Sequence, residues 1–105
     1  MIHRKSLFKK VKIVVHDFDP DAKIILIGSR ARGNNRKDSD WDFMIITNKK
    51  IDWQMVASLR NKFYYDVELT TNAALYTTVE YKNDWEKYKN FDPFYQNVAI
   101  EGIEI

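Results

Sequence analysis

Gly28-Ser29-Arg30-Ala31-Arg32-Gly33-Asn34-Asn35 and, after Arg36-Lys37, Asp38-Ser39-Asp40-Trp41-Asp42-Phe43-Met44-Ile45-Ile46 form the stretch on which the reading of the fold turns. Immediately before it, Ile24-Ile25-Leu26-Ile27 is a short, largely β-branched run, the pattern of a strand buried on both faces. Gly28 ends that run and opens a polar turn. The apolar run Phe43 to Ile46 then marks a second strand, entered through a loop rich in aspartate.

Two familiar loops are excluded by residue identity. The spacing of Gly28 and Gly33 mimics a P-loop, but that motif continues with Lys and then Ser or Thr, where this chain has Asn34-Asn35. Alternating acids also open an EF-hand, which needs Gly at its sixth position and Glu at its twelfth; counted from Asp38, these are Phe43 and Lys49.

Working outward, Leu7, Phe8, Val11, Val14, Val15 and Phe18 recur at helical spacing, with Ser6 as a candidate cap and Asp19-Pro20-Asp21 as the stop. Downstream, Asp52 is placed to cap a second long helix that carries Met55, Val56, Leu59 and Phe63 on one face. Tyr64 to Thr71 alternates, with Tyr65, Val67 and Leu69 on one side and Asp66 and Glu68 on the other, and reads as a third strand. From Tyr76 the pattern weakens. A polar helix over 79–88, a short helix over 93–99 and a terminal strand over 100–105 are the expectations there.

Composition narrows the classes. The chain has 105 residues, 45% hydrophobic, with 3 Trp, 6 Tyr and 6 Phe, which suits one packed core, a single domain over 1–105, rather than two. Gly and Pro are few and 30% of residues are charged, which excludes collagen-like and wholly disordered chains. Without cysteine there is no disulfide scaffold, thiolate metal site or cysteine nucleophile, so any metal is held by oxygen or imidazole. No apolar run approaches the roughly 18 residues of a membrane span, and Met1-Ile2-His3-Arg4-Lys5 leads into an amphipathic stretch rather than a signal core, giving a cytoplasmic expectation. Residues 1–65 carry a net +7 and residues 66–105 a net −5, so the front half suits a phosphate-bearing ligand, although a solvated charged surface explains such counts equally well. His3 and His16 are separate and lie on or beside the first helix, as surface residues do. The basic residues form no repeated pattern and no interleaved basic and aromatic groove, which argues against direct nucleic-acid recognition.

The chemistry concentrates at three places. Asp38 fits an Asx-type turn. Asp40 and Asp42 fall on one face of the second strand while Trp41 and Phe43 face the other, so two like charges sit side by side. With Asp66 or Glu68 as a third carboxylate from a neighbouring strand, they would make the all-oxygen site that Mg2+ prefers when phosphate oxygens complete its shell. Gly28 lets backbone approach a ligand, Ser29 adds a hydroxyl, and Arg30 and Arg32 supply fixed positive charge for phosphate.

Gly28-Ser29, ten residues, then Asp40-Trp41-Asp42-Phe43 resembles the signature of the DNA polymerase β-like nucleotidyltransferase superfamily. Gly-Ser-Arg-Ala-Arg-Gly followed by Asp-Ser-Asp-Trp-Asp-Phe resembles its minimal stand-alone members. The resemblance is strong over 24–71 and weaker at Pro93-Phe94-Tyr95 and Glu101-Gly102. It implies an α+β nucleotidyltransferase fold, with a mixed sheet of about four strands and helices mainly on one face. It further implies that Asp40 and Asp42 bind two Mg2+ ions with ATP or another nucleoside triphosphate, and that Gly28 and Ser29 hold the phosphates. A third carboxylate on the following strand completes the site; that position departs from the usual aspartate, since Asp66 and Glu68 compete and Glu68-Leu69-Thr70 is the better match. The implied reaction transfers a nucleoside monophosphate, AMP from ATP, to an acceptor hydroxyl. Minimal members resembling this chain are often paired, as antitoxin, with a helical HEPN-domain toxin that they adenylylate. The alternative is a weakly active or inactive module of the same fold that neutralises such a partner by binding.

Overall fold

The computed structural model describes residues 3–105; Met1 and Ile2, which open the N-terminal stretch, lie outside the described residues. The first helix, α1, spans Arg4–Phe18 and buries Leu7, Val11, Val14 and Val15, the stripe its periodicity predicts. It begins ahead of Ser6, with His3 at the cap position, and ends where the Asp19 N–H bonds the Val15 carbonyl just before Pro20.

Strand β1 (Lys23–Ile27) runs into Gly28 and the one-turn helix α2 (Ser29–Arg32). Strand β2 (Trp41–Thr47) returns antiparallel to β1, pairing Ile27 with Asp42 and Leu26 with Phe43. Helix α3 (Trp53–Phe63) is capped by the Asp52 carboxylate, which accepts from the Met55 N–H at 2.8 Å. It serves as the crossover that lets β3 (Leu75–Tyr81) lie parallel to β2, in a register that sets Asp42 opposite Tyr76 and Met44 opposite Thr78. Helices α5 (Lys82–Tyr88) and α6 (Pro93–Glu101) follow, and β4 (Ile103–Glu104) closes the order β3-β2-β1-β4 on the free edge of β1.

The segment 64–71 corrects the sequence reading. It is not a strand but a π-helical turn, Tyr64–Glu68, running into the short helix α4 (Leu69–Thr71), continuous with α3. Leu59, Phe63 and Val67 recur every four residues and are all buried, whereas Tyr65 and Leu69, the supposed apolar companions of Val67, are exposed. A helical stripe buries more of this segment than an alternating one, and burial decides. The strand lies instead at Leu75–Tyr81, so the helix expected over 79–88 begins only at Lys82.

The sheet has two unlike faces. Trp41, Phe43 and Ile45 of β2 and Ile24 and Leu26 of β1 pack with Leu7, Val11 and Val15 of α1 and Leu59, Phe63 and Val67 beyond it, forming the main core. Phe8 meets Trp41 and Phe43 edge-on, each at 5.9 Å between ring centroids. Met44 and Ile46 face the other way, where Tyr95 and Val98 of α6 cover them together with Ile25, Ile27 and Trp85. This is the mixed four-stranded α+β fold that the motif implies, with its larger helical layer on one face. Asp42 belongs to the thinner side, beyond the end of its apolar packing.

Candidate active site

Asp42 is half-buried at the start of β2, beside the turn that follows β1. Gly28 holds that turn at φ +76° and ψ −159°, a region essentially restricted to glycine. A Cβ placed there would overlap Asp42 Oδ2 and come within 3.2 Å of Cγ. The spacing between Gly28 and Asp42 in the motif therefore has a physical content: the glycine leaves room for the carboxylate on the adjacent strand. Burial pushes the Asp42 carboxyl above the ordinary carboxylate range, the neighbouring charge of Asp40 pushes it further, and Arg32 opposes both.

A cleft of about 460 Å3 opens here, the size of a small-molecule site, and Gly28, Arg32 and Asp42 are part of its lining. Its remaining walls hold residues to which the sequence analysis gives no role. Tyr76 and Thr78 come from β3, and Phe94, Asn97, Val98 and Glu101 form an i, i+3, i+4, i+7 stripe along α6. That stripe was the available signal, since helical spacing places these residues on one side of α6 as soon as the helix is drawn. Glu101 Oε2 accepts from Arg32 Nη1 at 3.4 Å, an exposed pair that holds the guanidinium at the cleft.

The proposed site residues divide. Gly28, Arg32 and Asp42 converge on the cleft; Ser29 follows Gly28 in the same turn, and Asp40 stands near enough for its charge to act on Asp42. Arg30 does not join them. Its guanidinium lies 4.2 Å from the Trp41 ring centroid and donates to the Ser39 carbonyl at 2.9 and 3.3 Å and to the Lys37 carbonyl at 3.2 Å. It fastens the loop that delivers Asp40 and is not part of the cleft's lining. The turn in that loop is closed by Ser39, whose Oγ accepts from the Arg36 N–H at 2.8 Å, and not by Asp38.

Asp66 and Glu68 are also displaced from the role proposed for them. Helical structure carries them into the layer where Val67 packs with Phe43 and Ile45, across the sheet from Asp42. Among the described residues, no three acidic or imidazole side chains gather as a metal-binding group. On the face shared with Asp42, β3 offers Tyr76, Thr78 and then Glu80, whose carboxylate already accepts from the Tyr95 hydroxyl at 2.8 Å. The position opposite Asp42 is a tyrosine.

The family model described as polymerase beta, nucleotidyltransferase, matches residues 9–105. This chain belongs to that family. The nucleotidyltransferase fold also recurs in solved structures. One, a toxin-antitoxin crystal structure with AMP-PNP, aligns at TM-score 0.62 and 17% identity over 91% of this chain and 69% of that one. Another, a mutant of the toxin-antitoxin MntA-HpeT, aligns at TM-score 0.60 and 16% identity over 100% of this chain and 72% of that one. At such identities the likeness is one of fold. None of the curated proteins compared with the sequence matches it. Among the described residues, no helix is long and apolar enough to cross a membrane.

Proposed function

We propose that this nucleotidyltransferase binds a nucleoside triphosphate with Mg2+ and transfers its nucleoside monophosphate, AMP from ATP, to a hydroxyl on a partner protein. The observation that carries the proposal is the convergence of Gly28, Arg32 and Asp42 on one nucleotide-sized cleft, with Asp40 near enough for its charge to act on Asp42. The acid pair suits a hard cation: its donors are carboxylate oxygens, and Asp42 is held half-buried beside a second negative charge, a state that a cation relieves. Asp40 and Asp42 would hold Mg2+, which when bound supplies positive charge to the triphosphate.

The chain's own residues do the rest. Backbone at Gly28 and the Ser29 hydroxyl approach the phosphates, and Arg32, exchanging Glu101 for phosphate oxygens, steadies the departing pyrophosphate. The acceptor hydroxyl oxygen attacks the α-phosphorus while the bond to the bridging oxygen breaks, its proton passing to solvent and pyrophosphate leaving. Loss of either aspartate should slow transfer by several powers of ten, at about 1.4 kcal/mol for each.

A toxin-antitoxin partner, of HEPN type by the motif resemblance, is the acceptor this reading favours, supported by the toxin-antitoxin neighbours in fold. The test is mass spectrometry of a candidate partner after incubation with the chain, ATP and Mg2+. An adenylyl group that appears with the wild type and is absent with Asp42→Asn supports transfer. Modification undiminished by Asp42→Asn overturns the assignment.

A second reading rests on Tyr76. With tyrosine opposite Asp42, the neighbouring strand brings no third carboxylate to deprotonate an acceptor. On this reading the chain binds nucleotide and neutralises its partner by association alone, and partner binding survives Asp40→Asn and Asp42→Asn with no adenylyl group formed.

A further inference from the structure

The cleft also carries aromatic surface. Tyr76 is 58% exposed and Phe94 is 44% exposed, yet both rings line the cavity that holds Asp42. They come from different elements, Tyr76 from β3 and Phe94 from the first turn of α6, and the Asn97 amide lies one turn along the same helix. Neither ring is buried in the core, although Phe94 touches it through Tyr95, at 6.0 Å between ring centroids. Tyr95 and Val98 are the α6 residues that pack on the sheet, and Thr78, the next residue of β3 on this face, is half-buried.

We infer that Tyr76 and Phe94 form the seat of the nucleobase, stacking a purine ring in the cleft while Asn97 hydrogen-bonds its edge. This rests on the nucleotide reading and extends it from the triphosphate to the base. The composition of the lining supports it: charge and backbone from Gly28, Arg32 and Asp42, and aromatic surface and an amide from Tyr76, Phe94 and Asn97. A nucleoside triphosphate combines the same two chemistries, anionic oxygens and a flat π-system with donors and acceptors. It also gives the tyrosine opposite Asp42 a use, since a ring there extends the floor toward the base. Stacking favours the larger purine over a pyrimidine.

The test compares Mg2+-dependent binding of ATP, CTP and inorganic tripolyphosphate, which has no base, to the full chain. The wild type should bind ATP more tightly than CTP, and CTP more tightly than tripolyphosphate. Tyr76→Ala and Phe94→Ala should each weaken ATP binding on the order of 10- to 100-fold. Both should leave tripolyphosphate binding unchanged, and Tyr76→Phe should retain the wild-type affinity for ATP. Because both side chains are substantially exposed, the substitutions should spare the fold, and unchanged tripolyphosphate binding verifies this for each variant. Equal wild-type affinities for ATP and tripolyphosphate, or variants that bind ATP normally, overturn the base seat and leave the phosphate site standing. If the wild type binds neither ligand with Mg2+, the nucleotide reading falls and this inference with it.

Discussion

Gly28 and Asp42 share one small space: the carboxylate of Asp42 lies where a side chain at Gly28 would have to be. The turn proposed to approach phosphate and the acid proposed to hold the metal are thus coupled sterically, across the β1–β2 pair that joins Ile27 to Asp42. Gly28→Ala should suffer twice, from a backbone region costing about 1–3 kcal/mol for a non-glycine residue and from the displaced carboxylate. Gly33 provides the control. Its φ of +80° is equally positive, but a Cβ there meets nothing within 4 Å. Gly33→Ala should lose about 1–2 kcal/mol of stability and keep Mg2+-dependent ATP binding, whereas Gly28→Ala should lose both. Thermal melts paired with nucleotide titrations separate the two effects.

Arg30 and Arg32, two residues apart in the same turn of α2, should respond differently to truncation. Arg32→Ala removes a charge at the cleft, so ATP affinity should fall while the melting temperature holds. Arg30→Ala removes the clamp on the Lys37 and Ser39 carbonyls and the contact with Trp41, and should cost about 1–2 kcal/mol of stability. Arg30→Lys should not restore it, because a single ammonium cannot reproduce a planar group that stacks and bonds two carbonyls together. A melting temperature unchanged by Arg30→Ala would contradict the clamp.

The legible part of this fold is the part written in strong local signals. A β-branched run bounded by Gly28 locates β1, helical spacing locates α1 and α3, and a glycine–serine turn followed by alternating acids marks residues of the candidate site. The segment 64–71 was illegible for a specific reason. Residues 65, 67 and 69 satisfy a strand's alternation, residues 59, 63 and 67 satisfy a helix's period, and only the packed core chooses between them. That ambiguity carried the third carboxylate with it. The cleft's aromatic lining was hidden differently, because Tyr76, Phe94 and Asn97 are ordinary surface residues until β3 and α6 are set facing one cavity.

The same correction yields a test of mechanism. Asp66→Asn and Glu68→Gln act on the helical layer across the sheet from Asp42 and should each leave nucleotide binding and transfer within about twofold of the wild type, a difference of about 0.4 kcal/mol. Asp40→Asn and Asp42→Asn, made in parallel, should abolish the Mg2+ dependence of ATP binding. Loss of transfer in Glu68→Gln, with the fold intact, would return that residue to the reaction and refute the placement described above.

Far from the cleft, Asp19 predicts the acid limit of stability. It is 5% exposed where α1 turns into β1, with Oδ2 accepting from Thr47 Oγ1 at 2.5 Å and Oδ1 from the Asp21 N–H at 3.0 Å. Burial by itself would raise its pKa, but the hydrogen bonds from Thr47 and from the Asp21 and Asn48 amides, with the charge of Lys49, outweigh burial and hold it below the ordinary value. A carboxyl with a lowered pKa in the folded state releases its proton more readily there than in the unfolded chain. Its contribution is therefore full above the unfolded value of about 3.9 and is lost as pH falls through the folded value. Asp19→Asn keeps the shape and removes the charge, so it should cost about 1.5–3 kcal/mol at pH 7, the range for hydrogen bonds to a charged group, and progressively less below pH 4. Urea unfolding of wild type and variant between pH 7 and pH 3 checks this. Curves that converge as the solution becomes acid support the assignment, and a gap independent of pH would mean that Asp19 acts through packing and not through its charge.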